Sequence, residues 1–510
     1  MKNRSFSANA LFNVSSWFIP AVAYFFAVPI TVRGLGPDRY GLLTIVGALA
    51  GYLALMDMGL ATAIVRYLSY YRALDEGRPM VGIVKFAFAW FFVAGVIGAA
   101  VLFFGAPWFV QSVLKVPKDL WPMAETVVRL TAADFFLAMI LSVASAIPPG
   151  FLRYDMSALG GAIFGTLGAV GPAALVSLGY GLKAIVLFGI VSNAAAVAMY
   201  SVFALRLFRT VTLTSGPEWK SVRRGAMAFG GLNALSRING AVASQTNRLV
   251  VGIAGGTSDL AYYQVPNLIS TNVNEMLARV AQVLFPTGAD LMARQDREGV
   301  NRLYLRSSRL LFLVNASATM GVCLFAAPLL RYWVSPRFAD KGALALLLFT
   351  VAQAVNACSM AMGNLSLSAG RAGVNLAFAA SSTAISIAAV YPLTVRYGIA
   401  GAAAAGLLGS LNVPFYLHYC HRRILHVSSM ETWRKSYRPT VLGVAAVGVG
   451  SYLLLAPLAR NLVSTLLLAG LSAALAVLVS GLFGALSRQD IVTARRLAGA
   501  VLGRFRPEAT

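Results

Sequence analysis

Charge is what this sequence has least of. Only 12% of its 510 residues are Asp, Glu, Lys or Arg, against about 25% in an ordinary soluble domain. Long polar intervals are missing too: the gaps between apolar runs reach only about 15–25 residues, too few to fold a separate soluble domain. Cysteine is scarce. Cys323, Cys358 and Cys420 lie in or beside apolar stretches with neither disulfide nor metal spacing, and read as small core residues. The three histidines fall together in HYCHRRILH, as His418, His421 and His426. No ligand spacing on a rigid element accompanies them, so an interfacial helix end is favoured over a metal site. There is no P-loop, no G-x-S-x-G elbow and no H-E-x-x-H. Without these signatures the expectation is a protein that is not an enzyme, carries no cofactor or metal, and is not by itself an ATP-driven pump.

What is present is apolar sequence. The chain is 58% hydrophobic, with mean hydropathy +0.73. Runs of about 20 or more apolar residues recur from end to end, which predicts an all-α polytopic membrane protein. Segmentation gives fourteen spans, at 8–32, 42–68, 82–104, 124–148, 158–180, 183–205, 227–252, 260–288, 309–334, 342–366, 372–394, 398–421, 439–459 and 463–485. The first run is too long for a cleaved leader and lacks a small-residue cleavage site, so it reads as an uncleaved first span.

The net charge of +24, from 42 basic against 18 acidic residues, could point to nucleic acid. Its distribution points elsewhere. With the N-terminus placed in the cytoplasm, 28 Lys and Arg fall on the inner side and 10 on the outer side. That is the positive-inside bias of an inner-membrane protein with both termini cytoplasmic. Four arginines remain within spans: Arg129, Arg237, Arg248 and Arg279.

Landmarks recur in order. RGLGPDRYG (33–41) follows span one and AGGTSDLAYY (254–263) follows span seven, with Asp38 and Asp259 separated by 221 residues. YGLKAIVLFGIV (180–191) and YGIAGAAAAGLL (397–408) open spans six and twelve at a separation of 217, and Asp57 and Glu275 stand 218 apart. This predicts two six-helix lobes, 1–210 and 215–425, related by a pseudo-two-fold along the membrane normal. Two extra transmembrane helices follow over 435–486. The basic tail 487–510 then opens with a Ser487–Asp490 capping pattern and continues as an amphipathic helix suited to an anionic leaflet.

Polar residues inside spans are the informative set. Residues 227–252 read MAFGGLNALSRINGAVASQTNRLVVG. Asn233, Arg237, Ser244 and Arg248 stack on one helical stripe. An arginine near the bilayer centre costs at least roughly 2.5–3.5 kcal/mol unless it meets water or a partner. Two on one stripe predict a helix lining a polar cavity. Span one carries Asn9, Asn13, Ser16, Pro20 and Tyr24, and span eight carries Asn267, Thr271, Asn274, Glu275, Arg279 and Gln282. Interhelical hydrogen bonding is the competing account for the uncharged members. Glu275 with Arg279, and Glu125 with Arg129, could each be local i, i+4 ion pairs. Asp57 and Asp134 have no evident sequence-local partner. A lone carboxylate in low dielectric resists ionisation and can exchange protons, or it can neutralise an arginine across a cleft. Pro20 and Pro29 weaken span one, and Gly230, Gly231 and Gly240 loosen span seven.

One combination has a family likeness. A Gly-x-Gly turn followed by Tyr-Gly (Gly34, Gly36, Tyr40, Gly41), then Asp-x-Gly-Leu with an Arg at the inner end of span two (Asp57, Gly59, Leu60, Arg66), resembles the bacterial polysaccharide transporter family. These are the O-antigen and exopolysaccharide flippases of the multidrug/oligosaccharidyl-lipid/polysaccharide (MOP) superfamily. The resemblance implies a flippase that moves polyprenyl-pyrophosphate-linked oligosaccharide across the bacterial cytoplasmic membrane by alternating access. It implies Arg237, Arg248, Arg279 and Arg129 as groups facing the pyrophosphate, with Asn13, Tyr24, Asn233 and Asn274 toward the sugars. Asp57, Asp134 and Glu275 are the candidate ion-coupling carboxylates. The implied partners are the lipid-linked substrate, membrane lipids, and a polysaccharide polymerase and chain-length proteins, with no nucleic acid. A guanidinium fork matches such oxygens well. The rivals are a lipid II flippase or a multidrug exporter of the same superfamily and, further off, a membrane-embedded polymerase or ligase.

Overall fold

The computed structural model describes the backbone of residues 6–487 and 490, apart from 58, 115, 212–218 and 283. It describes their side chains apart from those of 6–18, 219–234, 237 and 286. The structure is 90% helical, and no strand occurs among the described residues. Nine helices among the described residues are long and apolar enough to cross a membrane. That fits a chain in which every backbone amide must find its partner within its own segment.

The helices divide into two compact units. The first comprises residues 1–264 with 390–402, and the second 265–389 with 403–510. In the first unit lie α1 (Phe6–Leu35), α2 (Pro37–Leu53), α3 (Leu60–Ala73), α4 (Gly77–Trp108), α5 (Trp121–Gly150), α6 (Tyr154–Ser177), α7 (Leu182–Phe208) and α8 (Trp219–Gly255). The beginning of α9 (Thr257–Ala281) belongs to it as well. α1 packs on α6, α5 on α4 and α7, and α2 on α8.

Span two, expected as one helix over 42–68, is broken. After α2 a 3-10 turn runs Ala54–Asp57, and Gly59 takes φ 72° before α3 begins. Only glycine enters that left-handed region without a steric cost. The carboxylate of Asp57 accepts a hydrogen bond from the Ala61 amide at 3.1 Å, and the Trp90 indole donates to the Met56 carbonyl at 3.0 Å. Backbone groups freed by the break are thus satisfied from within the protein, as burial in an apolar medium demands. Asp57 is therefore not a lone carboxylate. It caps the second half of its own span.

The two Gly-containing turns dock on each other within this unit. Thr257 Oγ1 donates to Asp38 Oδ1 at 3.1 Å, and the Ser258 hydroxyl bonds the same oxygen. Gly41 lies so close that a Cβ there would sit 1.7 Å from the Thr257 carbonyl oxygen. Gly41→Ala should therefore destabilise the protein by about 1–3 kcal/mol, read as a lower Tm in detergent. An unchanged Tm would mean that the turn yields freely.

Positive φ angles fall in an ordered series along the chain: Gly36 and Gly256, Asp75 and Gln295, Leu152 and Gly370, Gly179 and Gly398. Their separations are 220, 220, 218 and 219 residues.

The second unit holds the rest of α9, then α10 (Leu284–Ala293), α11 (Arg297–Leu324), α12 (Ala326–Trp333), α13 (Pro336–Ala357), α14 (Met360–Ser368) and most of α15 (Ala372–Ser410), which is two helical segments meeting at a kink at Gly398. α16 (Val413–Cys420), α17 (Ser429–Thr432), α18 (Arg438–Leu454) and α19 (Leu462–Ser480) complete it. α18 and α19 pair and pack on α11. The expected Ser487–Asp490 cap forms: Ser487 Oγ donates to Asp490 Oδ2 at 2.6 Å and accepts from the Asp490 amide at 3.2 Å. Asp490 also clamps α11, accepting from Arg306 Nε at 2.7 Å and Arg309 Nη2 at 2.8 Å. The tail beyond it lies outside the described residues.

Burial raises the Asp490 carboxyl, but hydrogen bonds from Ser487 and the Arg306 guanidinium outweigh it and hold the group below the usual carboxylate range. A carboxylate lowered on folding adds stability that is complete above its unfolded value, about 4, and fades as pH falls through the lower folded value. Asp490→Asn should remove this acid-side dependence. With Arg306 46% exposed, the loss at neutral pH should be only about 1–2 kcal/mol, measurable from Tm against pH.

Candidate functional site

Below the docked turns, α2, α8 and the start of α9 bring polar groups together. Tyr52 hydrogen-bonds Thr246 through their hydroxyls. Gly51 faces Gln245 so closely that a Cβ would meet its amide at 2.4 Å. Next along α8, Arg248 is half-buried, and its Nη1 donates to Gln245 Oε1 at 3.4 Å. The phenols of Tyr40 and Tyr263 lie within electrostatic range of Arg248, and Tyr24 within range of Tyr40. Tyr263 is only 3% exposed and is hydrogen-bonded by the Asn247 side chain.

This cluster is incompletely satisfied. Arg248 Nε, Asn247 Oδ1 and Gln264 Oε1 are buried and lack hydrogen-bond partners among the described residues. Buried polar atoms are seldom left so, and each such group costs about 1–3 kcal/mol. Among the described residues no carboxylate pairs with Arg248. What remains is a guanidinium bordered by neutral phenols and amides, able to meet an anionic or hydroxyl-bearing group.

The other expected site residues fall out variously. Asn13, Asn233 and Arg237 lie on helices, but their side chains are outside the described residues. Tyr24 is 42% exposed on α1. Asn274 is half-buried with an unpartnered Oδ1, and Glu275 and Arg279 are exposed; all three lie on the part of α9 in the second unit. Arg129 is 45% exposed and makes the local pair with Glu125 at 3.6 Å, over the ring of Phe103. Glu125 in turn accepts from Gln111 at 2.8 Å. This is the local ion-pair alternative. Asp134, which has no sequence-local partner, accepts from the distant Asn193 Nδ2 on α7 at 2.8 Å.

Sequence reading overlooked Tyr40 and Tyr263 as site residues, together with the unpartnered Gln264. A signal existed, because each tyrosine follows one of the two Gly turns. Helical periodicity does not detect it, since the residues that meet come from three helices.

The comparisons agree with this architecture. The family model described as polysaccharide biosynthesis protein matches residues 30–341. A Shigella flexneri protein named as an O-antigen transporter is 21% identical over 421 residues, covering 82% of this chain and 98% of its own length. Among solved structures, an inward-facing multidrug resistance MATE family transporter of the MOP superfamily superposes with TM-score 0.70 at 16% identity, over 82% of this chain and 99% of that one. The lipid II flippase MurJ, in an inward closed conformation, superposes with TM-score 0.68 at 12% identity, over 94% and 99%. At such identities the structures speak for the fold alone, while the family model covers more than half the chain. With its apolar helices and Gly-turn signature, this multi-pass membrane chain therefore belongs to the polysaccharide biosynthesis protein family.

Proposed function

We propose that the protein is a flippase that carries a polyprenyl-pyrophosphate-linked oligosaccharide across the bacterial cytoplasmic membrane by alternating access. The observation that carries this reading is Arg248: a half-buried guanidinium with an unpartnered Nε and no carboxylate counter-ion among the described residues. A cation held in that way favours an anionic ligand, because a pyrophosphate supplies both the missing charge and the missing acceptor. A cationic drug would meet repulsion there. The unpartnered acceptors of Asn247 and Gln264 suit hydroxyl donors such as those of a sugar.

The two-lobe plan, 1–210 and 215–425 with two added helices over 435–486 and the tail 487–510, belongs to the same proposal. The ordered series of positive-φ pairs supports it, as does the lysine and arginine bias for both termini in the cytoplasm. On that plan the docked turns at Asp38 and Ser258 lie on the outer side, and Asp134, bonded to Asn193, is the best situated of the three coupling carboxylates.

The test is reconstitution. Purified protein in vesicles should expose a lipid-linked oligosaccharide to an impermeant sugar-modifying enzyme faster than vesicles without protein. An identical rate with and without protein would overturn the reading.

A further inference from the structure

A second polar centre lies in the second unit, where the histidines left aside as a helix end meet buried tyrosines. His421 is 2% exposed and Tyr304 fully buried. The Tyr304 hydroxyl lies 2.6 Å from His421 Nε2. On the other side of the ring, His421 Nδ1 lies 2.9 Å from Ser429 Oγ. The same hydroxyl lies 3.2 Å from Nδ1 of His418, which is exposed. Phenol, buried imidazole, hydroxyl and exposed imidazole thus form one chain from core to surface. His418, His421 and Ser429 also line an apolar cavity of about 850 Å³ whose other walls include Phe312, Val355 and Tyr437.

Donor counting fixes how this chain works. A serine hydroxyl has one proton and can donate to only one of the two Nδ1 atoms, so the other imidazole must present an N–H to Oγ. The direction of the whole chain therefore depends on where one proton sits. Three histidines do not converge here: among the described residues no group of three His, Cys, Asp or Glu could hold a metal.

We propose that His421 is a proton-binding site, loaded from His418 through Ser429, whose charged form favours opening of the adjoining cavity to water. The step balances. A protonated His418 gives its Nδ1 proton to Ser429 Oγ while Ser429 gives its own proton to His421 Nδ1. His418 is left neutral, and the His421 imidazolium donates through Nε2–H to the Tyr304 oxygen. The reverse transfer releases the proton. No other reactant is needed.

The surroundings explain why loading has mechanical consequences. α11 presents the neutral Tyr304 phenol, the end of α13 presents Cys358, and the turn before α18 presents Tyr437, whose hydroxyl points to the Cys358 carbonyl at 3.5 Å. α16 adds Tyr416 and Cys420, while Arg422, Arg423 and His426 are exposed beyond it. The carboxylate nearest in sequence, Glu431, is already paired with Lys435 at 2.7 Å. An imidazolium in this pocket has hydrogen bonds but no counter-ion among the described residues, and it is stabilised by any rearrangement that admits water. Low pH therefore shifts the population toward an opened arrangement, by linkage. This deepens the transport reading, on which it rests only for its use: it names the residues of this chain that take up and release the proton.

Hydrogen–deuterium exchange of the full chain in nanodiscs, corrected for intrinsic rates, tests it. Peptides spanning 413–437 should exchange about threefold or more faster at pH 5.5 than at pH 8, and His421→Gln should abolish the difference. Tyr304→Phe leaves the imidazole but removes the acceptor for its Nε2–H, so the midpoint should move about one pH unit lower. Exchange independent of pH in the wild type, or equal responses in wild type and His421→Gln, would overturn the proposal. An unmoved midpoint in Tyr304→Phe would do so too, and keeps the test alive if the glutamine variant fails to fold. If exchange responds as expected while vesicles carry no lipid-linked oligosaccharide, the proton site stands and the transport reading falls.

Discussion

Arg248→Ala is expected to abolish the appearance of lipid-linked oligosaccharide on the outer face while leaving membrane insertion and Tm close to wild type. Removing one partner of a desolvated charge pair costs about 2–5 kcal/mol, and tenfold corresponds to about 1.4 kcal/mol. The transport rate should thus fall by at least about 30-fold. Folding should be spared because, among the described residues, Arg248 has an unsatisfied Nε and one long hydrogen bond, at 3.4 Å, so its removal breaks little. Deleting a buried, poorly satisfied charge can even raise stability. Arg248→Lys separates charge from geometry. It keeps the cation but not the planar fork, so transport should be intermediate. Arg237→Ala belongs in the same experiment, since both arginines share one stripe of span seven. Full transport by both alanine variants would sink the cationic-site reading, whereas loss of the protein from the membrane would make Arg248 structural.

A disulfide between positions 38 and 258 is expected to stop transport reversibly. The Asp38 carboxylate touches the Ser258 hydroxyl and lies 3.1 Å from Thr257 Oγ1, with Gly41 pressed on the Thr257 backbone. On the proposed alternating-access plan, which places these turns on the outer side, they would part for the substrate to leave. Asp38→Cys with Ser258→Cys should crosslink under oxidation, lose transport, and regain it on reduction. The single Asp38→Cys variant is the control for loss of the carboxylate. Crosslinked protein that still transports would show that the contact is static and that passage lies elsewhere.

Much of the architecture could be read from the chain alone, for reasons that differ by feature. A span is a local property: about 20 apolar residues suffice to declare it, and nine described helices meet that length and composition. The capping box at Ser487 is equally local and formed as expected. The break in span two was not legible. Residues 42–68 are mostly apolar and long enough for one span, and only Gly59 at φ 72° with Asp57 turned onto the Ala61 amide reveals two helices. The same holds for Asp134: its partner Asn193 is 59 residues away on another helix. Arg129 shows the limit of residue type as evidence, because its charge faces a local glutamate and the face of a ring as readily as it would a ligand.

By itself, then, the sequence determined membrane residence, the helical class and the family signature. All of these rest on composition or on residues close in the chain, where hydrophobic transfer and backbone chirality act without regard to tertiary context. Only the tertiary structure decided which polar groups stand together: Tyr40 and Tyr263 beside Arg248, and His421 between Tyr304 and Ser429. Such contacts join helices far apart in sequence. Whether a buried polar atom is satisfied depends on what the neighbouring helix presents at that depth, which periodicity along one helix does not record.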